Sequence, residues 1–302
     1  MRICDAHCHF FSARFLELLT NGLPGFPDAG RAAAVSHRLG WDDPGSADEL
    51  ADRWISEMDR SGVARAAMIA SIPGDEDSVA AAVKRHPQRL VGFFMFNPSS
   101  GEVAGRLARA LGEQPLRGIC LFPAMHGYRL DDERVKEVFA AAAEWRAAVF
   151  VHCGVLTVGV RKKLGLPSPF DLRLGDPLAL GAVASRFPAV PVIVPHFGAG
   201  MFREALMAAE QCGNVHLDSS SSNGWMKYDP GLTLDQVFRQ ALAVIGPDRV
   251  LFGTDSSFFP RGWQQPIYAA QDAALRAIGT AETDREKIFG GNFDRLFPIA
   301  RS

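Results

Sequence analysis

The residues best suited to chemistry lie near the start of the sequence: His7 and His9, two imidazoles one residue apart. Residues two apart on a β-strand share a face, so a strand here turns both rings to one side and Cys8 to the other. Two neutral imidazoles converging in this way make half of a metal site. A His-x-His pair is a weak signal alone and gains weight only from its surroundings. Those surroundings supply three more groups able to ligate a metal or move a proton: His152, His196 and Asp255, each at the end of an apolar run. Asp5 is expected on the same inward face as His7 and His9, where it orients a ligand or pairs with a buried cation.

Elements able to bring these groups together are legible as short β-rich runs: Ile3–His9, Ala66–Ser71, Leu90–Phe96, Gly118–Phe122, Ala148–His152, Val190–His196, Val215–Ser219 and Val250–Asp255. Many are almost continuously apolar, as strands are when both faces are buried. Helical signals alternate with them: Ala47–Ser61, Asp75–His86, Gly101–Leu111, Asp131–Trp145, Asp176–Phe187, Phe202–Gln211, Leu234–Ile245 and Gln264–Ala277. Eight strand-then-helix units predict an α/β fold, a single (β/α)8 TIM barrel over residues 1–302. In that fold active sites gather at the strand C-termini, where the five candidate groups fall. The open doubly wound alternative lacks a Gly-x-Gly-x-x-Gly after any strand.

Long connections after the first strand (Phe10 to about Ser46), the fifth (Cys153 to about Gly175) and the seventh (Ser220 to Thr233) read as loops able to select a substrate. A C-terminal covering helix is expected over Asp284–Phe297, broken at Gly290-Gly291 with Asn292 capping the second piece. On the loop after the eighth strand, Arg261 could pair with a substrate carboxylate and Trp263 could cover an apolar part; an ordinary loop ion pair beside a packed aromatic explains both as well. Asn97, before Pro98, donates a hydrogen bond to substrate or holds a turn. Ser219–Ser222, Asn223 and Trp225 rim the seventh-strand loop.

The 302 residues carry 32 Lys+Arg against 34 Asp+Glu, a net charge of −2, with 47% hydrophobic residues. This balance disfavours disordered, collagen-like and nucleic-acid-binding chains. With neither a membrane span nor a signal-type segment in the sequence, the expectation is a cytoplasmic protein acting on a small molecule, without nucleic-acid or membrane partners. Five cysteines with no Cys-x-x-Cys spacing read as buried apolar residues.

The sequence resembles the amidohydrolase superfamily, in its amidohydrolase-related branch of metal-dependent hydrolases and decarboxylases. The resemblance rests on Asp5-Ala6-His7-Cys8-His9, Gly118-Ile119-Cys120-Leu121-Phe122-Pro123, Val151-His152-Cys153-Gly154, Pro195-His196-Phe197-Gly198, Gly253-Thr254-Asp255 and Ile288-Phe289-Gly290-Gly291-Asn292. It implies that His7, His9, His152 and Asp255 ligate one divalent ion, and that His196 hydrogen-bonds the reacting water or a substrate oxygen. Binuclear members supply a carboxylated lysine from the fourth strand; here no lysine occurs between Gly118 and Lys136, which favours a single ion. The nitrogen-rich set makes Zn2+ the first expectation, while Mn2+, Fe2+ and Co2+ suit the same ligands.

Such an ion lowers the pKa of a bound water, leaving Asp255 and His196 to share the proton transfers of a hydrolysis that cleaves a C–O or C–N bond. The alternative is nonoxidative decarboxylation of an aromatic or unsaturated acid. Decarboxylase-type members commonly follow the aspartate with an aromatic or His residue and then Pro, whereas Asp255 leads into Ser256-Ser257, which tilts the expectation toward hydrolysis. A non-catalytic metal-binding barrel is disfavoured, because structural zinc sites are usually closed and cysteine-rich. A homodimer is an expectation resting on the resemblance alone.

Overall fold

The computed structural model describes residues 1–220 and 223–299. Eight parallel strands pair in sequence order: β1 (Ile3–His9), β2 (Val63–Ala70), β3 (Leu90–Phe96), β4 (Leu116–Leu121), β5 (Ala148–Val151), β6 (Val192–Val194), β7 (Val215–Asp218) and β8 (Val250–Leu251). The segment after β8 returns to β1: Ala6 N donates to Phe252 O (2.8 Å), His9 N to Ser256 O (2.7 Å) and Asp255 N to His7 O (2.9 Å). The sheet is therefore a closed (β/α)8 barrel, as the alternation predicts.

Alternating strand residues feed two apolar layers, which explains the continuous apolar runs. Ala6, Ile69, Phe93, Cys120, Phe150 and Ile193 fill the barrel interior. Their neighbours, such as Phe94, Ile119 and Val149, pack outward against helix residues including Trp54, Phe139 and Phe238.

β1 departs from simple alternation. Cys4 and Ala6 face the interior and Cys8 the outer layer, with a register shift between Asp5 and Cys8. That shift lets His7 and His9 face the barrel mouth at the strand C-termini while Asp5 points the other way, contrary to the expectation that the three share a face. β6 and β8 stop short of their expected ends because Pro195 follows one and the chain after the other peels toward β1 and Ile288, whose carbonyl accepts from Phe252 N (3.1 Å).

In chain order the helices are α1 (Ala13–Leu19), α2 (Arg31–Leu39), α3 (Ala47–Ser61), α4 (Glu76–Arg85), α5 (Val103–Ala108), α6 (Pro123–His126), α7 (Glu133–Trp145), α8 (Gly159–Lys163), α9 (Pro177–Ala184), α10 (Phe202–Gln211), α11 (Leu234–Ile245), α12 (Gln265–Ala277), α13 (Glu282–Glu286) and α14 (Asn292–Leu296). Helices α1 and α2 occupy what reads in the sequence as a loop. Ser12 caps α1 by accepting from Phe15 N. Together with α8 they enclose a third, smaller cluster of Phe15, Leu16, Ala32, Val35, Leu39 and Val160 that roofs one side of the barrel mouth.

The expected break at Gly290-Gly291 is absent: α13 runs through a π-helical turn at Lys287–Gly291 into α14. Gly290 serves close approach instead, since a Cβ there would lie 2.6 Å from Arg2 O. Asn292 is no cap; its Nδ2 donates to the carbonyls of Pro247 (2.7 Å) and Val250 (2.8 Å). This C-terminal segment inserts Phe293 and Phe297 into the interior cluster.

Candidate metal centre

His7 and His9 end β1 with their Nε2 atoms 3.4 Å apart. Asp255 Oδ1 lies 3.0 Å from His9 Nε2 and 3.7 Å from His7 Nε2. One ligand atom from each of these three residues falls within 4.8 Å of the others, so the donors face a common point.

Neighbouring groups fix the tautomers. His7 Nδ1 is 2.8 Å from Asp218 Oδ2, and an ionised carboxylate accepts only, so Nδ1 carries the proton. His9 Nδ1 is 2.6 Å from Ser71 Oγ, whose own hydroxyl donates to Ile69 O (3.0 Å), so this Nδ1 is a donor as well. Both Nε2 lone pairs are left pointing toward Asp255, the arrangement a metal-ligating imidazole needs.

His196 and His152 line the same cavity, one ring further out. The His196 ring centroid is 5.0 Å from that of His7 and 5.5 Å from that of His152. His196 Nδ1 lies 2.9 Å from Ser220 Oγ and 3.2 Å from Ser220 O; the carbonyl can only accept, which gives Nδ1 the proton and leaves Nε2 a lone pair. His152 stacks on Phe122 at 5.4 Å, and its buried Nδ1 has no hydrogen-bond partner among the described residues. Convergent lone pairs, a carboxylate and an orphaned imidazole nitrogen form a nitrogen-rich donor set that fits a divalent ion.

Electrostatics follow from crowding. Burial alone would raise Asp255, but the adjoining His9, His7 and His196 rings, His9 Nε2 foremost, stabilise the carboxylate whenever they carry a proton and hold it well below the usual carboxylate range. Burial likewise works against protonated His7, yet the carboxylates of Asp218, Asp255 and Asp5 together outweigh it and raise the imidazole pKa. Burial lowers His9 and His196, and lowers His152 furthest, with the neighbouring rings adding to the effect on all three.

The backbone is unusual at the same place. His196 (φ 55°) and Asp255 (φ 59°) both adopt left-handed conformations, which cost free energy for residues other than glycine. Gly253 is required by packing, because a Cβ there would lie 2.7 Å from Asp218 Oδ1 and 3.0 Å from His7 Cβ.

Three expectations from the sequence fall outside the cavity. Trp263 is almost fully buried, and its Nε1 donates to Asp5 Oδ2 (2.7 Å) instead of covering a substrate. Asp5 also accepts from His7 N (2.9 Å), Thr254 N (3.1 Å) and Thr254 Oγ1 (2.5 Å), tying β1 to the eighth-strand loop without touching a ligand side chain. Asn97 holds a turn, its Oδ1 accepting from Ser99 N (2.9 Å). Ser219 bonds Gln271 Oε1 (2.6 Å), while Ser221 and Ser222 lie outside the described residues.

Arg261 does line the cavity, with Nη2 donating to Asp255 O (3.2 Å) and Ser257 Oγ (2.6 Å). Sequence reasoning misses Asp218 and Ser71, and Ser220, expected only as part of the seventh-strand rim, is in contact with the His7 and His196 rings. Asp218 carries a usable signal, since like the other candidates it stands at the end of a strand.

The cavity holds about 600 Å³ and opens at the strand C-termini. One wall is an aromatic stack: Phe15 on Phe11 (4.3 Å), Phe11 on Trp41 (5.5 Å) and Trp41 on Phe258 (4.3 Å).

Closed barrel, strand-end histidines and a donor cluster between the first and eighth strands together define a barrel of the metal-site class. The amidohydrolase family model matches residues 4–299, and the chain belongs to that family. No curated protein matches the sequence.

Among solved structures, the chain is similar to 5-carboxyvanillate decarboxylase from Novosphingobium aromaticivorans with bound manganese (17% identity, TM-score 0.64, covering 98% of this chain and 97% of that one). It is also similar to an amidohydrolase from Burkholderia multivorans with bound zinc (15%, 0.62, 99% and 100%). A third is a probable 2-pyrone-4,6-dicarboxylic acid hydrolase from Acinetobacter baumannii with citric acid bound (14%, 0.58, 98% and 99%). At these identities the likeness shows the fold. No helix among the described residues is long and apolar enough to cross a membrane.

Proposed function

We propose that the cavity is the active site of a metal-dependent hydrolase that cleaves a C–O or C–N bond in a small, carboxylate-bearing substrate. The observation that carries this reading is the convergence of His7 Nε2, His9 Nε2 and Asp255 Oδ1 with both tautomers set for ligation. His7, His9 and Asp255 would hold one divalent ion with His152 as a further donor, and the ion, zinc by preference, supplies positive charge that acidifies water and polarises a carbonyl.

The chain's own groups do the rest. Asp255 stays ionised and is 29% exposed, so it accepts the proton of the attacking water and passes it to the leaving atom. His196 is neutral at ordinary pH and presents its Nε2 lone pair, sharing that proton handling. Arg261 meets the substrate carboxylate, and the apolar walls exclude bulk water.

A second reading, nonoxidative decarboxylation, is favoured by the Phe15–Phe11–Trp41–Phe258 stack, which suits a flat aromatic acid. A panel of lactones, esters, amides and aromatic carboxylic acids, with CO2 release followed separately, tests both. Product acid without CO2 supports hydrolysis, CO2 release replaces it with the second reading, and metal-loaded protein inert on the whole panel counts against each.

A further inference from the structure

We infer that Lys163, on the helix inserted after β5, is a specificity-determining residue that reads an anionic group at the end of the substrate farthest from the His7, His9 and Asp255 cluster. This rests on the reading of the cavity as an active site for small organic acids and adds to it a second charge on the substrate.

The first observation is how α8 is held. It is barely more than one turn long, and Val160 anchors it by packing into the small cluster with Phe15, Leu16, Val35 and Leu39. Lys163 follows Val160 by three residues, so both lie on one side of the helix. The anchor therefore aims the ammonium at the mouth, where Lys163 lines the cavity. Arg161, on another face, is spent on Pro167 O (2.6 Å) and Ser168 Oγ (3.3 Å).

The second observation is the partners Lys163 keeps. Its Nζ lies 5.8 Å from the centre of the Trp41 ring and 5.6 Å from that of Phe258. Among the described residues it has neither a hydrogen bond nor an ion pair. The Arg261 guanidinium sits 4.6 Å from the same Phe258 ring and, among the described residues, donates to the uncharged Asp255 O and Ser257 Oγ. Two cations thus flank the Phe258 ring; the Asp255 carboxylate, the one carboxylate among the cavity's described lining residues, attracts Arg261, whereas Lys163 has no ion pair among the described residues. A molecule lying along the edge of the Trp41–Phe258 stack would bring a remote carboxylate or phenolate against Lys163 while its reacting end faces the imidazoles.

Calorimetric titration of the zinc-loaded protein with benzoate and with benzene-1,3-dicarboxylate tests this without turnover. The dicarboxylate should bind roughly fivefold tighter, the scale of a partly solvated charge pair. Lys163→Met, which keeps the apolar stem, should erase that advantage and leave benzoate affinity unchanged, while Lys163→Arg should retain it. An advantage that survives Lys163→Met, or no advantage in the unmodified protein, overturns the assignment alone. Binding of neither acid overturns it together with the active-site reading beneath it.

Discussion

The two ends of the barrel solve opposite problems. At the floor, Phe293 and Phe297 plug the interior, and Arg65 Nη1 donates to Asp294 Oδ1 (2.6 Å) and Phe297 O (2.7 Å). At the mouth, four imidazoles and a carboxylate crowd together. Among the described residues, four of the five non-glycine residues with positive φ, namely His196, Phe197, Ala199 and Asp255, lie in loops at the mouth. One end is built for stability; the other holds strained and mutually repelling groups that an ion would reconcile.

This contrast can be broken by substitution. The largest effect is expected from His7→Ala or His9→Ala, which should abolish bound metal and activity with little loss of folding stability, as read by metal analysis and thermal melting. His196→Ala should keep the metal and lower turnover by roughly 10²–10⁴-fold; an empty site in that variant would make His196 a direct ligand. At the floor the pattern reverses. Phe293→Ala should cost about 3–5 kcal/mol in denaturant unfolding, with activity per folded molecule unchanged.

Two changes sharpen the comparison. Asp218→Asn keeps the shape but weakens the charge that orients His7, and metal affinity should fall roughly 10–100-fold in a chelator competition. Asp75 should show the smallest effect. It is buried under the mouth, accepts from Ser12 Oγ (2.8 Å) and Ser78 Oγ (2.6 Å), and burial raises its pKa to about 7. Its unfolded pKa is about 3.9, so the native state binds the extra proton. Stability from this group is complete below pH about 4 and is lost as pH rises through about 7. Asp75→Asn should flatten that decline, by about 1–2 kcal/mol between pH 5 and 7 in urea melts.

Much of this architecture is legible in the sequence because strands buried on both faces read as apolar runs. The bounds of β1, β3, α3, α10 and α11 coincide with those expected. What escapes notice has physical causes. In α2 the buried positions Ala32, Val35, Ser36 and Leu39 follow a helical period, but the surrounding Gly and Pro residues make the whole connection look irregular. The inward placement expected for Asp5 fails because strict alternation cannot anticipate the register shift in β1. His7, His9 and Asp255 are visible as strand-end donors, a position Asp218 shares, whereas Ser71 acts through the far side of an imidazole, which no spacing reveals. Trp263 misleads because loop position says nothing of which way an indole turns once a buried carboxylate is within reach.

The pairing of Cys8 with Ser256, and of His7 O with Asp255 N, also bears on the order of folding. β1 gains its second neighbour only from the segment that follows β8, so its imidazoles meet the Asp255 carboxylate through a contact between residues far apart in the chain. Such a non-local contact carries a large loop-closure cost, so the donor cluster is expected to assemble only once the other strands have paired, and a partly folded chain to offer a metal no complete donor set.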